Sequence, residues 1–394
     1  MAMTIAFVSN CFNHHERFLC DELYNHKDIV FYFIQTIPFR EERKKLGWSI
    51  NLKEFPYCIC SYEDYAKCAN IIENCDALII GSAPFDIYKQ RLQENKLSFF
   101  YCESFFKQGF WHIFNPKTFI KILYTYIIPS KNQNVKMLCA SAFTAYDCAR
   151  IFSFENRCYR WGHFIEVDTK KSAESLMNQK LYNRTNRGHI KILWAGRLLP
   201  LKHPEMSVKV AVELRERGID FDLNIIGSGP MEHQIHSMIK SYNLEDNVRM
   251  LGTMTPEEVR VNMEDSDIFL FTSNHKEGWG AVLGEAMSSG CAVIASSAIG
   301  ATPFLVHDNI NGLIYKRTDY EDFRRCVFKL VENLDLCIKL GAEAIKTMQN
   351  EWTPKIAANR FIDIAASFLN HQTEPEYKSG PMSKAPSISR NWFH

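Results

Sequence analysis

The chain has 394 residues, of which 46% are hydrophobic and 23% are charged, and its formal net charge is +1. A chain of this length can fold into two domains with full cores, and the composition excludes disordered and fibrous proteins. The balanced charge disfavours a protein that coats nucleic acid, so no nucleic-acid partner is expected. The thirteen cysteines are scattered and form no C-x-x-C pair, which favours free thiols in a reducing, cytoplasmic compartment.

The first half of the chain alternates short apolar runs with helical patterns. The opening MTIAFVS has no basic segment before its apolar residues, so it predicts a first strand instead of a signal peptide. The pattern predicts an α/β domain over residues 1–166, with a parallel sheet and crossover helices. Strands are expected at residues 4–9, 29–35, 77–82, 97–102 and 136–141.

Three polar side chains of this half follow predicted strands. His14 and His15 come after the first strand, and Glu103 comes directly after the strand at 97–102. Ligands of doubly wound sheets lie beyond the carboxyl ends of the strands, so these residues are candidate ligand contacts. A surface or helix N-terminal position is the alternative for the histidines, and a structural role is the alternative for Glu103.

From residue 105 to residue 146 the chain contains five lysines, several aromatic residues and no acidic residue. Basic and aromatic side chains together suit a surface that contacts anionic lipid. A core helix with a solvated basic face is one alternative. Stacking on single-stranded nucleic acid is another, which the balanced total charge disfavours.

A polar, charged segment without apolar periodicity separates the two halves and predicts an exposed linker at residues 167–188. Apolar runs and helical patterns alternate again over residues 189–353, as in a second α/β domain. A last helix is expected at residues 354–370, and the polar remainder, residues 371–394, predicts a disordered tail.

The segment from Lys276 to Ser296 places two carboxylates around a glycine-rich helix start. Gly278 and Gly280 allow a ligand to approach the backbone, and the N–H groups of a helix start suit a phosphate. Glu285, inside the helix, can accept hydrogen bonds from paired hydroxyls such as those of a ribose. Glu277, in the loop before the helix, can then reach a sugar.

Arg197 and Lys202 follow the first strand of the second half and precede a helix. A planar guanidinium and a compact ammonium together suit a diphosphate. Such a pair alone is more often ordinary surface charge. In the same domain as the two-glutamate segment, it indicates a site for a nucleoside diphosphate.

Four motifs occur in order along the second half: G-R-L-x-x-x-K at 196–202, I-I-G-x-G-P at 225–230, E-x7-E at 277–285 and A-M-x-x-G at 286–290. Together they resemble the family 4 glycosyltransferases, in particular bacterial members that build polysaccharides. The resemblance implies an α/β fold of two facing Rossmann-like, doubly wound domains (GT-B type), with the C-terminal helix returning toward the N-terminal domain. It also implies that the first domain binds the acceptor and the second binds a nucleotide sugar.

Position by position, the resemblance implies catalytic roles for Arg197, Lys202 and Glu277. The two cations would hold the donor diphosphate, and Glu277 would hold hydroxyls of the sugar ring. Glu285 would hold the ribose. The other donor-binding residues that it implies are Gly278, Trp279, Gly280, Gly227, Leu251 and Gly252.

The implied function is a retaining glycosyltransferase of the hexosyltransferase type, with a lipid-linked or polysaccharide acceptor and with His14, His15 and Glu103 on the acceptor side. No metal or other cofactor is expected, and a UDP-sugar is expected over a GDP-sugar. The expected setting is polysaccharide biosynthesis in the cytoplasm, at the inner face of the plasma membrane, with residues 105–146 on the anionic surface. A nucleotide-sugar epimerase and a non-catalytic sugar-nucleotide-binding module of the same fold are the alternatives.

Overall fold

The computed structural model of the protein describes residues 2–39, 50–169 and 172–393. The chain forms two compact units, each with one parallel β-sheet and its own helices. The predicted α/β architecture with two Rossmann-like sheets is therefore confirmed. Unit 1 comprises Met1–Glu166 and Trp352–Ser389, and unit 2 comprises Val167–Glu351 and Arg390–His394.

The strands of unit 1 are β1 Met3–Ser9, β2 Ile29–Gln35, β3 Cys58–Cys60, β4 Ala77–Ile80, β5 Ser98–Cys102, β6 Val135–Cys139 and β7 Cys158–Arg160. They are parallel and lie in the order β3-β2-β1-β4-β5-β6-β7. The central β1 pairs on both sides, since Ile5 lies opposite Phe31 in β2 and opposite Ala77 in β4. Continuous apolar runs are typical of parallel strands that are covered on both faces, which is why they predicted five of these strands.

The helices described within the first 166 residues are α1 His14–Tyr24, α2 Tyr65–Asn74, α3 Lys89–Gln93, α4 Pro116–Ile122 and α5 Thr144–Arg150. A capping box begins α1, in which the Asn13 side chain accepts from the helix backbone and the Glu16 side chain accepts from Asn13 N–H. The cap fixes the start of α1, so His14 and His15 lie in its first turn, shortly after the carboxyl end of β1.

The strands of unit 2 are β8 Ile190–Ala195, β9 Phe221–Ile226, β10 Val248–Gly252, β11 Ile268–Phe271, β12 Ala292–Ser296 and β13 Leu313–Tyr315. They are parallel and lie in the order β10-β9-β8-β11-β12-β13. The order changes direction between β8 and β11. Doubly wound sheets bind ligands beyond the strand ends at such a switch point.

The helices of unit 2 are α6 Ala173–Arg187, α7 Glu205–Glu216, α8 Glu232–Ser241, α9 Pro256–Asp265, α10 Val282–Ser288, α11 Thr302–Leu305, α12 Tyr320–Val331 and α13 Leu334–Glu351. Buried apolar residues at helical spacing, such as Val210, Ala211 and Leu214 of α7, pack them on the sheet. None of the helices that the structure describes has the length and apolar character needed to cross a bilayer.

The predicted linker at residues 167–188 is wrong, because α6 occupies most of it. Ala173, Met177 and Lys180 are buried at helical spacing. The Lys180 ammonium donates a hydrogen bond of 2.8 Å to Met263 O, near the C-terminal end of α9. The sequence concealed this helix because one of its inward positions is a lysine instead of an apolar residue.

The last helix, α14 Pro354–Leu369, groups with unit 1, as the predicted return of the chain requires. Phe361 of this helix has no exposed surface, and the centre of its ring lies 4.8 Å from that of Phe99 in β5. The helix therefore completes the core of the first unit although it follows the second in sequence.

The predicted disordered tail at residues 371–394 is wrong where the structure describes it. Met382 is buried, and its N–H donates to Arg160 O at 2.9 Å. Arg160 N–H donates in turn to Ser383 O at 2.8 Å. These bonds satisfy backbone groups at the end of β7, so the tail covers the exposed edge of the sheet.

Residues 105–146 do not form one surface, contrary to the prediction. Their last part contains β6, all of whose residues are buried. Lys136 of β6 is buried, and its Nζ lies 3.9 Å from the ring centre of Phe368. Burial in this position lowers the pKa of Lys136 to about 8. The part of the stretch that precedes β6 is the part that can form a surface.

Candidate functional site

The loops after β8 and β9 are held against each other by two glycines. Gly227 has φ +126°, and a Cβ on it would lie 2.0 Å from Gly196 O. Gly229 has φ +154°, and a Cβ on it would lie 2.6 Å from Leu198 O. Contacts this short exclude a side chain, so both positions require glycine. Gly227 N–H also donates to Gly252 O at 2.7 Å, which joins the end of β10 to the same layer.

Lys202 and Glu277 form an ion pair at this edge of the sheet. Lys202 Nζ lies 2.6 Å from Glu277 Oε2, and their side chains are only 14% and 15% exposed. The same carboxylate oxygen accepts a hydrogen bond of 2.9 Å from Ser273 Oγ. The Lys202 side chain runs past Gly196, because a Cβ on Gly196 would lie 3.2 Å from Lys202 Cδ. The structure thus joins two predicted site residues, from the loops after β8 and β11.

Arg197 follows Gly196 directly and is exposed. Within the part of the chain that the structure describes, its guanidinium has neither a hydrogen-bond partner nor an ion-pair partner. An unpaired guanidinium beside a paired lysine is available to meet an anionic group without first breaking a contact.

Glu285 and Leu251 keep surface that a ligand can reach. Glu285 lies in α10 and is half-buried; burial raises the pKa of its carboxyl, and the charge of Arg260 lowers it in part. Leu251 is half-buried near the end of β10. Both positions are therefore accessible, as donor contacts must be.

Trp279, a predicted donor contact, belongs to the core. It is 2% exposed, and the centre of its ring lies 6.2 Å from that of Phe304. Its neighbours serve the same packing, since a Cβ on Gly280, at φ +80°, would lie 2.5 Å from Phe271 Cζ. Gly278 O accepts a hydrogen bond of 3.0 Å from Gly300 N–H. Gly278 and Gly280 therefore have a structural role in the packing of the loop before α10.

His203 and Asn274 hold the turn that carries Lys202, and the sequence did not single them out. His203 has φ +47°, an uncommon conformation for a residue with a side chain. Its Nε2 accepts from Asn274 Nδ2 at 3.1 Å, and its Nδ1 donates to Glu205 Oε1 at 2.8 Å. Asn274 N–H donates to Leu201 O at 2.8 Å. The turn-forming residues S-N-H at 273–275 were the available signal.

In unit 1, the structure brings His14 and His15 together with His163, which follows β7. The ring centres of His14 and His15 are 3.9 Å apart, and those of His15 and His163 are 5.5 Å apart. Burial, together with the charges of His14 and His163, lowers the pKa of His15 well below its usual value. His15 is therefore neutral near pH 7, with one ring nitrogen able to donate and one able to accept.

Glu103 belongs to the same cluster. Tyr101 OH donates to His163 Nδ1 at 3.0 Å, His163 Nε2 donates to Glu103 Oε1 at 3.5 Å, and Lys107 forms an ion pair with Glu103. Burial raises the pKa of the Glu103 carboxyl, but the hydrogen bond from His163 and the charge of Lys107 outweigh it and hold the pKa at about 2. Glu103 was predicted because it follows the carboxyl end of a strand, and His163 follows β7 in the same way. The sequence did not indicate His163 because β7 is too short to be recognised.

The described residues contain no group of three or more His, Cys, Asp or Glu side chains arranged to hold a metal ion. The candidate site residues form two sets. In unit 2, Arg197 and the ion pair of Lys202 with Glu277 lie at the carboxyl edge of the sheet, and in unit 1 the histidines and Glu103 form a hydrogen-bonded cluster.

Solved structures share the fold of this chain. HepE of Anabaena, described in complex with UDP, has a TM-score of 0.66 to this chain at 15% identity, over 94% of this chain and 100% of that one. A likeness at this identity concerns the fold alone. The fold is that of the GT-B glycosyltransferases, with two parallel sheets and their helices.

The second half of the chain also matches known sequences. Residues 179–347 match the family model described as "Glycosyl transferases group 1". The putative colanic acid biosynthesis glycosyltransferase WcaL of Escherichia coli K12 is 31% identical over 135 residues, 33% of each chain. The amylovoran biosynthesis glycosyltransferase AmsK of Erwinia amylovora is 27% identical over 180 residues, 44% of each chain. The chain thus spans between a third and a half of the length of these relatives.

Proposed function

We propose that the protein is a retaining glycosyltransferase that moves a hexose from a nucleoside-diphosphate sugar to an acceptor hydroxyl. The observation that carries this proposal is the ion pair of Lys202 and Glu277 beside the turn of Arg197. In a nucleotide sugar the anomeric carbon is bonded directly to the diphosphate. A cation for the phosphate and a carboxylate for the ring hydroxyls must therefore lie side by side, as these residues do.

Negative charge develops on the diphosphate as its bond to the anomeric carbon breaks. Arg197 and Lys202 stabilise that charge more in the transition state than in the ground state. His203 and Asn274 fix the turn, so the backbone that carries Lys202 need not move when the charge appears. The scheme uses no metal ion, since the two side chains supply the positive charge.

The proton of the acceptor hydroxyl passes to the leaving diphosphate, and the sugar is transferred to the same face through an oxocarbenium-like state. Glu103 is not the base in this scheme, because a carboxylate with a pKa of about 2 takes a proton from an alcohol poorly. As a permanent anion it orients acceptor hydroxyls by accepting their hydrogen bonds, together with the neutral His15.

The proposed donor is a UDP-sugar, and the proposed acceptor is a lipid-linked or growing polysaccharide. HepE, which shares the fold, is described in complex with UDP, while WcaL and AmsK are named for the biosynthesis of colanic acid and amylovoran. The proposed location is the cytoplasm, peripheral to the inner face of the plasma membrane. All thirteen cysteines are thiols in the structure, which suits a reducing compartment.

Combined Arg197→Ala and Lys202→Ala substitutions test the donor assignment. We expect kcat/KM for sugar transfer to fall roughly 100-fold or more, because the loss of preorganised positive charge raises the barrier by about 3 kcal/mol. The measurement is sugar transfer from a panel of UDP- and GDP-sugars to lipid-linked acceptors, followed by mass spectrometry, with donor affinity measured by calorimetry.

Arg217→Ala with Lys240→Ala is the matched control, because it removes two cations near the C-terminal ends of α7 and α8. This control is expected to transfer sugar at the parental rate. A folded Arg197/Lys202 variant that also does so would contradict the donor site. Donor binding without transfer to any acceptor would indicate a binding module instead, and conversion of the donor sugar into its epimer would indicate an epimerase.

A further inference from the structure

The segment between β5 and β6 exposes an unusual share of large apolar side chains. The structure describes eighteen exposed large hydrophobic residues, and six of them lie between residues 111 and 128. The most exposed of these six are Trp111 at 65% and Phe114 at 80%. The others are Phe119, Ile120, Tyr124 and Ile128. A cluster of this kind, instead of single scattered residues, marks an interaction surface.

Three of the exposed residues share one side of a short helical segment. A 3-10 turn at Phe110–Phe114 leads into α4, and a π-helical turn at Leu123–Ile127 continues it. Along this path Ile120, Tyr124 and Ile128 recur every four residues and are exposed. The opposite side, which includes Ile122, is buried with Phe106 and Ile151 in a small apolar cluster. The inner side already anchors the segment to unit 1, so folding does not account for the apolar outer side.

Lysines accompany the exposed apolar residues. Lys117, Lys121 and Lys131 are exposed, and within the described residues none of the three has an ion-pair partner. The two remaining lysines of the stretch are engaged elsewhere, Lys107 with Glu103 and Lys136 in the core. Since residues 105–146 contain no acidic residue, no carboxylate of this stretch offsets the charge of these lysines.

We propose that residues 110–131, the docking segment, bind the surface of an anionic lipid bilayer. Tryptophan and tyrosine favour the region between headgroups and acyl chains, where the ring is buried and its polar atom stays hydrated. Phenylalanine beside them inserts its apolar ring into the same boundary. Lysines beside them attract anionic headgroups. A protein partner with an apolar face would not by itself require the unpaired lysines, whereas an anionic bilayer accounts for both components. The proposal rests on the peripheral membrane location proposed above and names the surface that makes the contact, while lipid binding itself requires neither sugar donor nor acceptor.

Vesicle flotation of the full chain tests the proposal. We expect the protein to float with vesicles of phosphatidylcholine mixed with phosphatidylglycerol, to float weakly with phosphatidylcholine alone, and to be released as salt is raised. Lys117→Ala with Lys121→Ala should lower the partition coefficient on the anionic vesicles roughly 30-fold. Trp111→Ser with Phe114→Ser should abolish flotation on both kinds of vesicle.

Two matched controls separate the docking segment from general surface properties. Tyr182→Ser with Val261→Ser removes apolar residues that are 65% and 64% exposed in unit 2. Lys89→Ala with Lys240→Ala removes two exposed lysines outside the segment. Both controls should float like the parent. All substituted side chains are exposed, so each variant should keep the parental circular dichroism and thermal midpoint.

Three results would overturn the proposal. The first is a parent that does not float with anionic vesicles, and the second is a docking-segment variant that floats like its control. The third is a parent that is dimeric by light scattering, becomes monomeric with Trp111→Ser and Phe114→Ser, and does not bind vesicles. That result would assign the surface to a second copy of the chain. Since no donor is present, none of these results depends on transferase activity.

Discussion

Glu16, in the first turn of α1, is a carboxyl group with only 8% of its surface exposed. Its Oε2 accepts a hydrogen bond of 3.2 Å from Asn13 N–H. Burial raises the pKa of Glu16 to about 7, although the charge of His163 and the hydrogen bonds at Asn13 act in the opposite direction. At neutral pH this cap of α1 therefore titrates between its neutral and charged forms.

We expect this carboxyl group to make unit 1 less stable as pH rises from about 5 to about 8, because in that range the folded state binds more protons than the unfolded chain. A rise in pKa from 4.5 to about 7 corresponds to about 3 kcal/mol of unfolding free energy. Glu16→Gln keeps an oxygen for Asn13 N–H and removes the titration, so its profile should be flatter by that amount. Urea unfolding at a series of pH values measures both profiles.

The histidines near Glu16 do not obscure this comparison. They are present in both proteins, so the difference between the two profiles reports the Glu16 carboxyl and its coupling to them. Profiles that run parallel from acid to alkaline pH would show that folding leaves the pKa of Glu16 unchanged, which would contradict the prediction.

The pairing of Lys202 with Glu277 illustrates what the sequence cannot supply for single residues. Each was predicted from its own motif, yet they are 75 residues apart and their contact depends on how two loops pack. Gly227 is a different case. It was predicted as a ligand contact, but the structure requires glycine there because the backbones of two loops approach closely. Local patterns therefore predicted which loops form the site, and tertiary packing decided which atoms meet.

Among the elements, α6 shows how a buried charge can join two helices. The Lys180 ammonium donates to Met263 O at 2.8 Å and to Glu264 O at 3.1 Å, and thereby supplies a charged donor to carbonyl groups in the last turn of α9. Arg187, at the other end of α6, reaches Asp267 at 2.8 Å. Both contacts tie the predicted linker to the sheet of unit 2.

Lys180→Met should lower the unfolding free energy of unit 2 by about 3 kcal/mol, because the buried carbonyls lose a charged donor that a thioether of similar shape cannot replace. Urea unfolding gives this value, and Lys240→Met, at an exposed position in α8, should stay within about 0.5 kcal/mol of the parent. An unchanged midpoint for Lys180→Met would mean that water satisfies the same carbonyls.

Elements with long apolar runs were predictable, and elements without them were not. The predicted strands that became β1, β2, β4, β5 and β6 have near-continuous apolar residues, which a doubly covered parallel sheet demands. β3 and β7 have three residues each, and α6 presents a lysine to the core, so none of these three elements leaves a readable pattern. The missing β7 also concealed His163, which shows how one short element can remove a residue from a predicted site.

For the whole molecule, the important feature is that unit 1 is built from two separate parts of the chain. The first 166 residues form its sheet, but Trp352–Ser389 complete its core and cover β7. Unit 2 is assembled almost entirely from the residues between these parts. Because each unit has its own sheet and core, we expect the two to unfold as separate cooperative blocks.

Phe361→Ala tests this expectation. Phe361 has no exposed surface and contacts Phe99 of β5, so its truncation should destabilise unit 1 by about 3 to 5 kcal/mol. Native-state hydrogen exchange should then show loss of protection in β5 and its neighbours, and unchanged protection in β12 and β13.

Phe323→Ala is the reciprocal control, because Phe323 is equally buried and its ring centre lies 5.2 Å from that of Tyr315 in β13. It should lower protection in unit 2 and leave the protection of β5 unchanged. Phe323 lies in α12 and Phe361 in α14, so only α13 separates their helices in sequence. If either variant lowered protection equally in both sheets, the molecule would be one cooperative block. Opposite patterns from two residues so near in sequence would show that the fold, and not the order of the chain, sets the boundary of each block.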